Sequence, residues 1–215
     1  MSGGNHTVQK RGNDNKKKEG TACKVAKKCG GCQYQGVPYE KQLSEKQKAV
    51  RQLMQPFCKT AEITGMQDPY HYRNKAQLPI GIDDNQSMIM GFYSNRSHRI
   101  IDCESCALQP QSFTQAMDAF RKWADTSGND IYREQTGKGR MRHLYLREAG
   151  ATGEVMACVV VNGNGLYHED TLVKQLRECV RGLKSVIINS NRENTNVILG
   201  KKCRTVWGSD TIKDT

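Results

Sequence analysis

Three observations in this sequence predict an α+β fold. Short strand-like runs recur on either side of turn residues. Runs with 3.6-residue apolar spacing stand between them. The last third then reads hairpin, helix, strand, strand, the pattern of a sheet layer with helices on one face.

In chain order, the first element is a helix from Tyr39 to about Phe57. Its apolar positions Leu43, Val50, Leu53 and Met54 follow the helical period, and Pro38 suits a helix start. Asp68-Pro69 marks a break. Gln77–Ile82 and Met88–Tyr93 are strand-like, with Asp83-Asp84-Asn85 as the turn between them, and Arg99–Asp102 is a third short strand. Phe113 to about Ala124 is an amphipathic helix ended by Ser127-Gly128-Asn129. His143–Arg147 and Glu154–Val161 form a hairpin turned at Gly150–Gly153. A helix over Thr171–Val180 follows, then a strand over Ser185–Asn189 and another over Asn196–Leu199. No internal repeat is present. The chain stops at Asp214-Thr215 with no closing element, which is the expectation for a fragment.

At 215 residues the chain has room for one ordinary domain and a small satellite module, and its 36% hydrophobic content suffices for a core. No apolar run approaches the roughly 20 residues of a membrane span. Met1-Ser2-Gly3-Gly4-Asn5-His6 has no apolar signal region. Neither a membrane nor a secreted protein is expected, and a cytoplasmic monomer is. The 33 basic against 22 acidic residues give a net charge of +11, which points to a polyanionic partner, most often nucleic acid. Eight of the basic residues lie in residues 1–28, against Asp14 and Glu19. Residues 1–22 therefore read as a disordered basic tail, 23–69 as a cysteine module with its helix, and 70–215 as the central domain.

Nine cysteines without an export signal argue for metal or redox chemistry over a disulfide framework. Cys23-x5-Cys29-Gly-Gly-Cys32 packs three thiols into ten residues, and the two glycines let the backbone wrap closely around a bound group. The next clustered cysteines are Cys103 and Cys106. Zinc sites favour paired Cys-x2–4-Cys spacing, whereas iron–sulfur clusters accept uneven runs with one distant cysteine. The spacing favours iron–sulfur and leaves zinc open. Cys158 lies in an apolar strand and reads as a buried structural thiol. Cys58, Cys179 and Cys203 have no activating partner at a telling distance, so none reads as a nucleophile.

The cysteine run followed by Gln33 and the Tyr39–Val50 helix resembles the 23S rRNA (uracil-5-)-methyltransferase family. The likeness continues through Tyr72-Arg73-Asn74-Lys75-Ala76, Gly91-Phe92-Tyr93, Ile101-Asp102-x3-Cys106 and Gln109-Pro110. It runs on through Arg142-His143-Leu144, Asn194-Thr195-Asn196-Val197-Ile198-Leu199-Gly200 and Trp207-Gly208, covering about residues 23–215. The resemblance implies a [4Fe–4S] cluster held by Cys23, Cys29, Cys32 and Cys106, with Cys103 spare. It also implies a small iron–sulfur module packed on a mixed α/β RNA-binding domain.

Members of that family methylate C5 of a uridine in ribosomal RNA with S-adenosylmethionine. A cysteine adds to C6 of the uracil, and a base later removes the C5 proton. Those residues belong to a C-terminal Rossmann-like domain with its own glycine-rich cofactor loop. Asn162-Gly163-Asn164-Gly165 does not match Gly-x-Gly-x-x-Gly and reads as a loop. The resemblance thus implies neither catalytic residues nor an S-adenosylmethionine site within this chain, which alone is expected to be inactive. Nor is the N-terminal OB-like domain of some relatives expected within these residues, where only the basic tail precedes the cysteines.

RNA contacts are expected at Arg73, Asn74 and Lys75, where Tyr70 and Tyr72 add stacking surface. They are expected also at Arg96, His98 and Arg99, and in the basic run of Arg140, Arg142 and His143 beside Lys138. The competing reading is a stand-alone, zinc-stabilised RNA-binding module. An electron-transfer protein fits the cysteines but makes no use of the basic tail or the long β-rich region.

Overall fold

The computed structural model describes residues 23–215, so the basic tail expected over 1–22 lies outside the described residues. The fold is α+β, as the sequence predicts. It runs α1 (Tyr39–Met54), β1 (Lys75–Ile82), β2 (Met88–Tyr93), β3 (Ile100–Asp102), α2 (Gln111–Ala124), β4 (Met141–Glu148), β5 (Val155–Val161), α3 (Glu169–Cys179), β6 (Leu183–Ser190) and β7 (Lys202–Gly208). The seven strands make one mixed sheet in the order β3-β2-β1-β4-β5-β6-β7. All neighbours are antiparallel except β5 and β6, which run parallel across the α3 crossover.

Alternation along the strands sends one set of apolar side chains to the helices. Ala76, Leu78 and Ile80 of β1, Leu144 and Leu146 of β4, and Val155, Ala157, Val159 and Val161 of β5 share one core with Val186 and Ile188 of β6. Into it α2 sends Phe113, Met117, Phe120 and Trp123, and α3 sends Leu172, Val173 and Leu176. The Trp123 indole N–H finds its partner at the His168 carbonyl, 3.0 Å away, tying the end of α2 to the start of α3. Each such fully buried large side chain contributes about 1.5–3 kcal/mol by burial. The intervening residues of the central strands, Cys158, Val160 and Ile187, are buried too, so β5 is covered on both faces.

One expectation needs correcting. Asn196–Leu199 is not a strand. Asn191, buried, donates its side-chain amide to the Val197 and Ile198 carbonyls at 2.7 and 2.9 Å, which holds this apolar run as a loop and leaves Val197 exposed. The edge strand is instead Lys202–Gly208, whose polar first half hid it. In α1 the helical period is real, but the stripe does not face the core: Val50, Leu53 and Met54 are exposed and the helix buries only Gln47. Gln47 bonds the Ala61 carbonyl and the Ile63 N–H, so α1 packs on its own following segment. The last residues also fold back: Asp214 accepts from the Gly150 and Ala151 N–H groups, and Thr152 donates to the Lys213 carbonyl. No helix among the described residues is long and apolar enough to cross a membrane.

Candidate metal centre and nucleic-acid interface

The cysteine loop docks on the end of β2. The Gly30 N–H donates to the Tyr93 carbonyl at 3.1 Å, and Cys29 bridges Ser94. A side chain at Gly30 would meet the Asn95 backbone at 2.8 Å, so only glycine permits this approach. One residue on, the Gly31 N–H donates to the Cys29 sulfur at 3.3 Å. The β2–β3 ladder brings the second group of cysteines to the same place. Gly91 pairs with Asp102, and a Cβ there would stand 2.1 Å from the Ile101 carbonyl oxygen. Asp102 accepts from the Met90 N–H and from Arg121, and Arg121 also donates to the Met90 and Cys103 carbonyls. This knot fixes the 103–106 turn.

Cys23, Cys29, Cys32 and Cys106 are all half-buried, and Cys32 and Cys106 both lie within electrostatic reach of Cys23 and Cys29. Burial pushes the Cys32 thiol above its ordinary value; Arg73 opposes the shift, and the neighbouring Cys106, Cys29 and Cys23 add to it. Cys106 is raised for the same first reason, against a backbone hydrogen bond from Leu108 and the Arg73 charge. Cys103 also feels Cys106, Cys29 and Cys23, and it is the most deeply buried of the five. It is 4% exposed, burial pushes its thiol up to about 12, and its S–H is committed to the Ser105 carbonyl at 2.9 Å.

The donors are all thiols, a chemistry that suits zinc and iron–sulfur alike. Gly31 leaves the Cys29 sulfur uncrowded (a Cβ there would press on it at 3.3 Å), and a backbone N–H already points at that sulfur. Among the described residues no three Cys, His, Asp or Glu side chains converge as a single metal ion requires.

Arg73, expected as an RNA contact, is half-buried beside the cysteines and donates to the Gly31 carbonyl at 2.8 Å. Asn74 and Lys75 lie on the exposed entry to β1. Arg96, His98 and Arg99 form an exposed turn that abuts the cysteine loop, with the His98 ring 5.6 Å from that of Tyr93. The third group divides. Arg140 stays at the surface. Arg142 sits at the β-bulge of β4, turned inward over the Tyr132 ring, and donates to the Asn191 and Glu193 carbonyls at 2.7 and 2.9 Å. His143 is buried, and desolvation together with the Arg142 charge lowers its pKa to about 4. These two side chains are interior, and their local role is structural.

Two further surface residues escape a reading along the chain. Tyr167 and Arg192 flank a cleft of about 720 Å³ that also includes Arg140 and the Asn162–Gly165 loop. An exposed aromatic just after an Asn/Gly loop is the one signal the sequence offered for it.

No family model matches the chain. It is 38% identical over 196 residues to an uncharacterized RNA methyltransferase of Clostridium tetani, covering 89% of this chain and 42% of that protein. It is 37% identical over 198 residues to another from Halalkalibacterium halodurans, covering 90% and 43%. A Staphylococcus epidermidis homologue is 38% identical over 197 residues, covering 89% and 43%. The chain thus spans under half the length of the curated relatives it matches. Among solved structures, the Pyrococcus abyssi tRNA (uracil-54, C5)-methyltransferase in complex with S-adenosyl-L-homocysteine superposes with a TM-score of 0.69 at 22% identity, over 87% of this chain and 43% of that one. Along nine-tenths of its length this chain is therefore homologous to part of a set of RNA methyltransferases, and it shares the fold of one solved relative.

Proposed function

We propose that this chain is the cluster-holding and RNA-binding part of an S-adenosylmethionine-dependent RNA (uracil-5-)-methyltransferase, with ribosomal RNA as the substrate class. The observation that carries the reading is that Cys32 and Cys106 both lie within electrostatic reach of Cys23 and Cys29, in a chain homologous to part of a set of RNA methyltransferases. Those four residues would hold a [4Fe–4S] cluster, which when bound supplies a compact anionic centre of iron and sulfide. Around it the chain's own groups do the work. Arg73 braces the loop and sets a positive charge beside the thiolates, the Gly31 N–H supports the Cys29 sulfur, and the Arg96–Arg99 turn presents cations next to them. The uracil chemistry and the S-adenosylmethionine site belong, in this reading, to the length that the relatives have and this chain lacks.

The test is iron, acid-labile sulfide and zinc content of protein purified without oxygen, in the wild type and in Cys106→Ser and Cys103→Ser. About four irons and four sulfides per chain are expected, abolished by Cys106→Ser and kept by Cys103→Ser. One zinc without sulfide overturns the cluster and favours the zinc-stabilised RNA-binding module. Methylation of ribosomal RNA by this chain alone overturns the division of labour.

A further inference from the structure

We infer that the cleft at the carboxyl ends of β5 and β6 is a single-stranded RNA subsite, in which Arg140 and Arg192 take backbone phosphates and Tyr167 stacks a base. The inference rests on the RNA-binding reading above and adds a place that reading does not assign.

The topology makes the cleft. Because β5 and β6 are parallel neighbours, Val161 and Ser190 end side by side, and the chain leaves them as the 162–165 loop and the Asn191–Arg192 turn.

Its polar groups are already positioned. The Tyr167 main chain is clamped from both sides by buried Asn129, whose side-chain oxygen accepts the Tyr167 N–H at 2.9 Å and whose amide donates to the Tyr167 carbonyl at 3.0 Å. Tyr167 as a residue is 50% exposed. Arg140 lies over that ring at 4.0 Å and bonds the phenol oxygen at 2.6 Å, so the pair is one preformed platform. Arg192 is held by the Asn164 side-chain oxygen at 3.0 Å. Asn162 anchors the loop to the Gly137 and Gly139 carbonyls at 3.2 and 3.0 Å. Gly163, at φ +151°, has open space where a side chain would stand, so a sugar–phosphate backbone can come close.

The charges select the ligand. Arg204, nearby, is occupied by both Glu169 oxygens at 2.8 and 2.9 Å. Arg140 and Arg192, among the described residues, have no carboxylate partner. Asp130 lines the cleft as well, so the local excess is one positive charge. That suits a nucleic-acid strand passing with its phosphates spaced along the rim and a base on the aromatic, and it does not suit a compact polyphosphate. Cations around an exposed aromatic are the usual apparatus for unpaired bases.

The test is fluorescence anisotropy of a short labelled oligouridine against the whole chain, at two or more salt concentrations. Tyr167→Ala is expected to weaken binding about ten-fold, the scale of one lost base–aromatic stack, and Tyr167→Phe to retain most of it. Arg192→Gln is expected to weaken binding and reduce the salt slope by about 0.7, one phosphate on a single strand. Lys174→Gln, an exposed cation on α3 outside the cleft, serves as the charge control, and circular dichroism checks that each variant folds. An abasic oligomer is expected to bind the wild type as weakly as oligouridine binds Tyr167→Ala. If the wild type binds no RNA, the RNA reading and the subsite both fall. If it binds and the cleft variants match Lys174→Gln, the subsite falls and the RNA reading stands. Loss with Arg192→Gln alone, and none with Tyr167→Ala, overturns the stacked base.

Discussion

The guanidinium of Arg73 donates to the carbonyl of Gly31 at 2.8 Å, spanning from the entry of β1 to the middle of the cysteine loop. Its charge also reaches Cys32 and Cys106, where it opposes the upward push of burial on both thiols. One side chain therefore braces the loop and offsets the repulsion that four thiolates would exert on one another.

Arg73→Gln is accordingly expected to lower iron and sulfide per chain severalfold while leaving the far-ultraviolet circular dichroism spectrum unchanged. Arg73→Lys should recover part of the content, because it restores the charge without the planar fork. Equal loading of Arg73→Gln and wild type would show that the guanidinium is a bystander.

Arg121 gathers three oxygens, from Met90, Asp102 and Cys103, around the start of the second cysteine turn. Arg121→Met leaves two main-chain carbonyls and a carboxylate short of a donor. A loss of about 2 kcal/mol is expected from those unmet groups, read as a lower denaturant midpoint. A midpoint equal to the wild type's would mean that water replaces the guanidinium without penalty.

Gly91→Ala places a methyl 2.1 Å from the Ile101 oxygen and 2.9 Å from the Cys103 nitrogen, both main-chain atoms that cannot step aside. Overpacking of this kind costs about 1–3 kcal/mol, and the shift falls on β3, which leads directly into the turn of Cys103 and Cys106. Thermal unfolding and iron content should fall together. Lost stability with full iron would separate the ladder from the metal site.

His143 gives the pH prediction. Its folded-state pKa of about 4 lies below the ordinary 6.5, so the unfolded chain takes up the proton first as pH falls. Above 6.5 the residue contributes nothing to pH dependence. Through the window from 6.5 down to 4 it removes stability, on the order of 3 kcal/mol in all. Denaturant midpoints at pH 7 and pH 4 should therefore differ less in His143→Gln than in the wild type. An identical difference in both proteins assigns the acid sensitivity to other groups.

What could be read along the chain was what local pattern controls. The β1–β2 hairpin, α2 and the β4–β5 hairpin declare themselves because their apolar period and their turns agree. The cysteine module declares itself because its spacing is local. The failures share a cause in long-range partners. The Val197-Ile198-Leu199 run has the composition of a strand, and the Asn191 amide withdraws its carbonyls from any ladder. Arg142 and His143 belong to a basic run in sequence, yet the bulge of β4 turns one inward and the strand buries the other. Tyr167 and Arg192 meet only because β5 and β6 are parallel, a fact that no window of the sequence contains.

The two ends of that parallel pair differ in how tightly they are sealed. Where β5 and β6 begin, Gly182 sits so close that a side chain would strike the Gly153 carbonyl at 2.2 Å; where they finish, Gly163 faces open space. One rim is closed by main chain against main chain at Gly182, and the other leaves the 163–164 loop in open space. New sequence inserted at residues 163–164 leaves the sheet intact, because no ladder bond crosses that point, whereas the same insertion at 181–182 pries the strands apart. A change of length is thereby accommodated at the rim that carries Arg140, Tyr167 and Arg192 without disturbing the sheet beneath it.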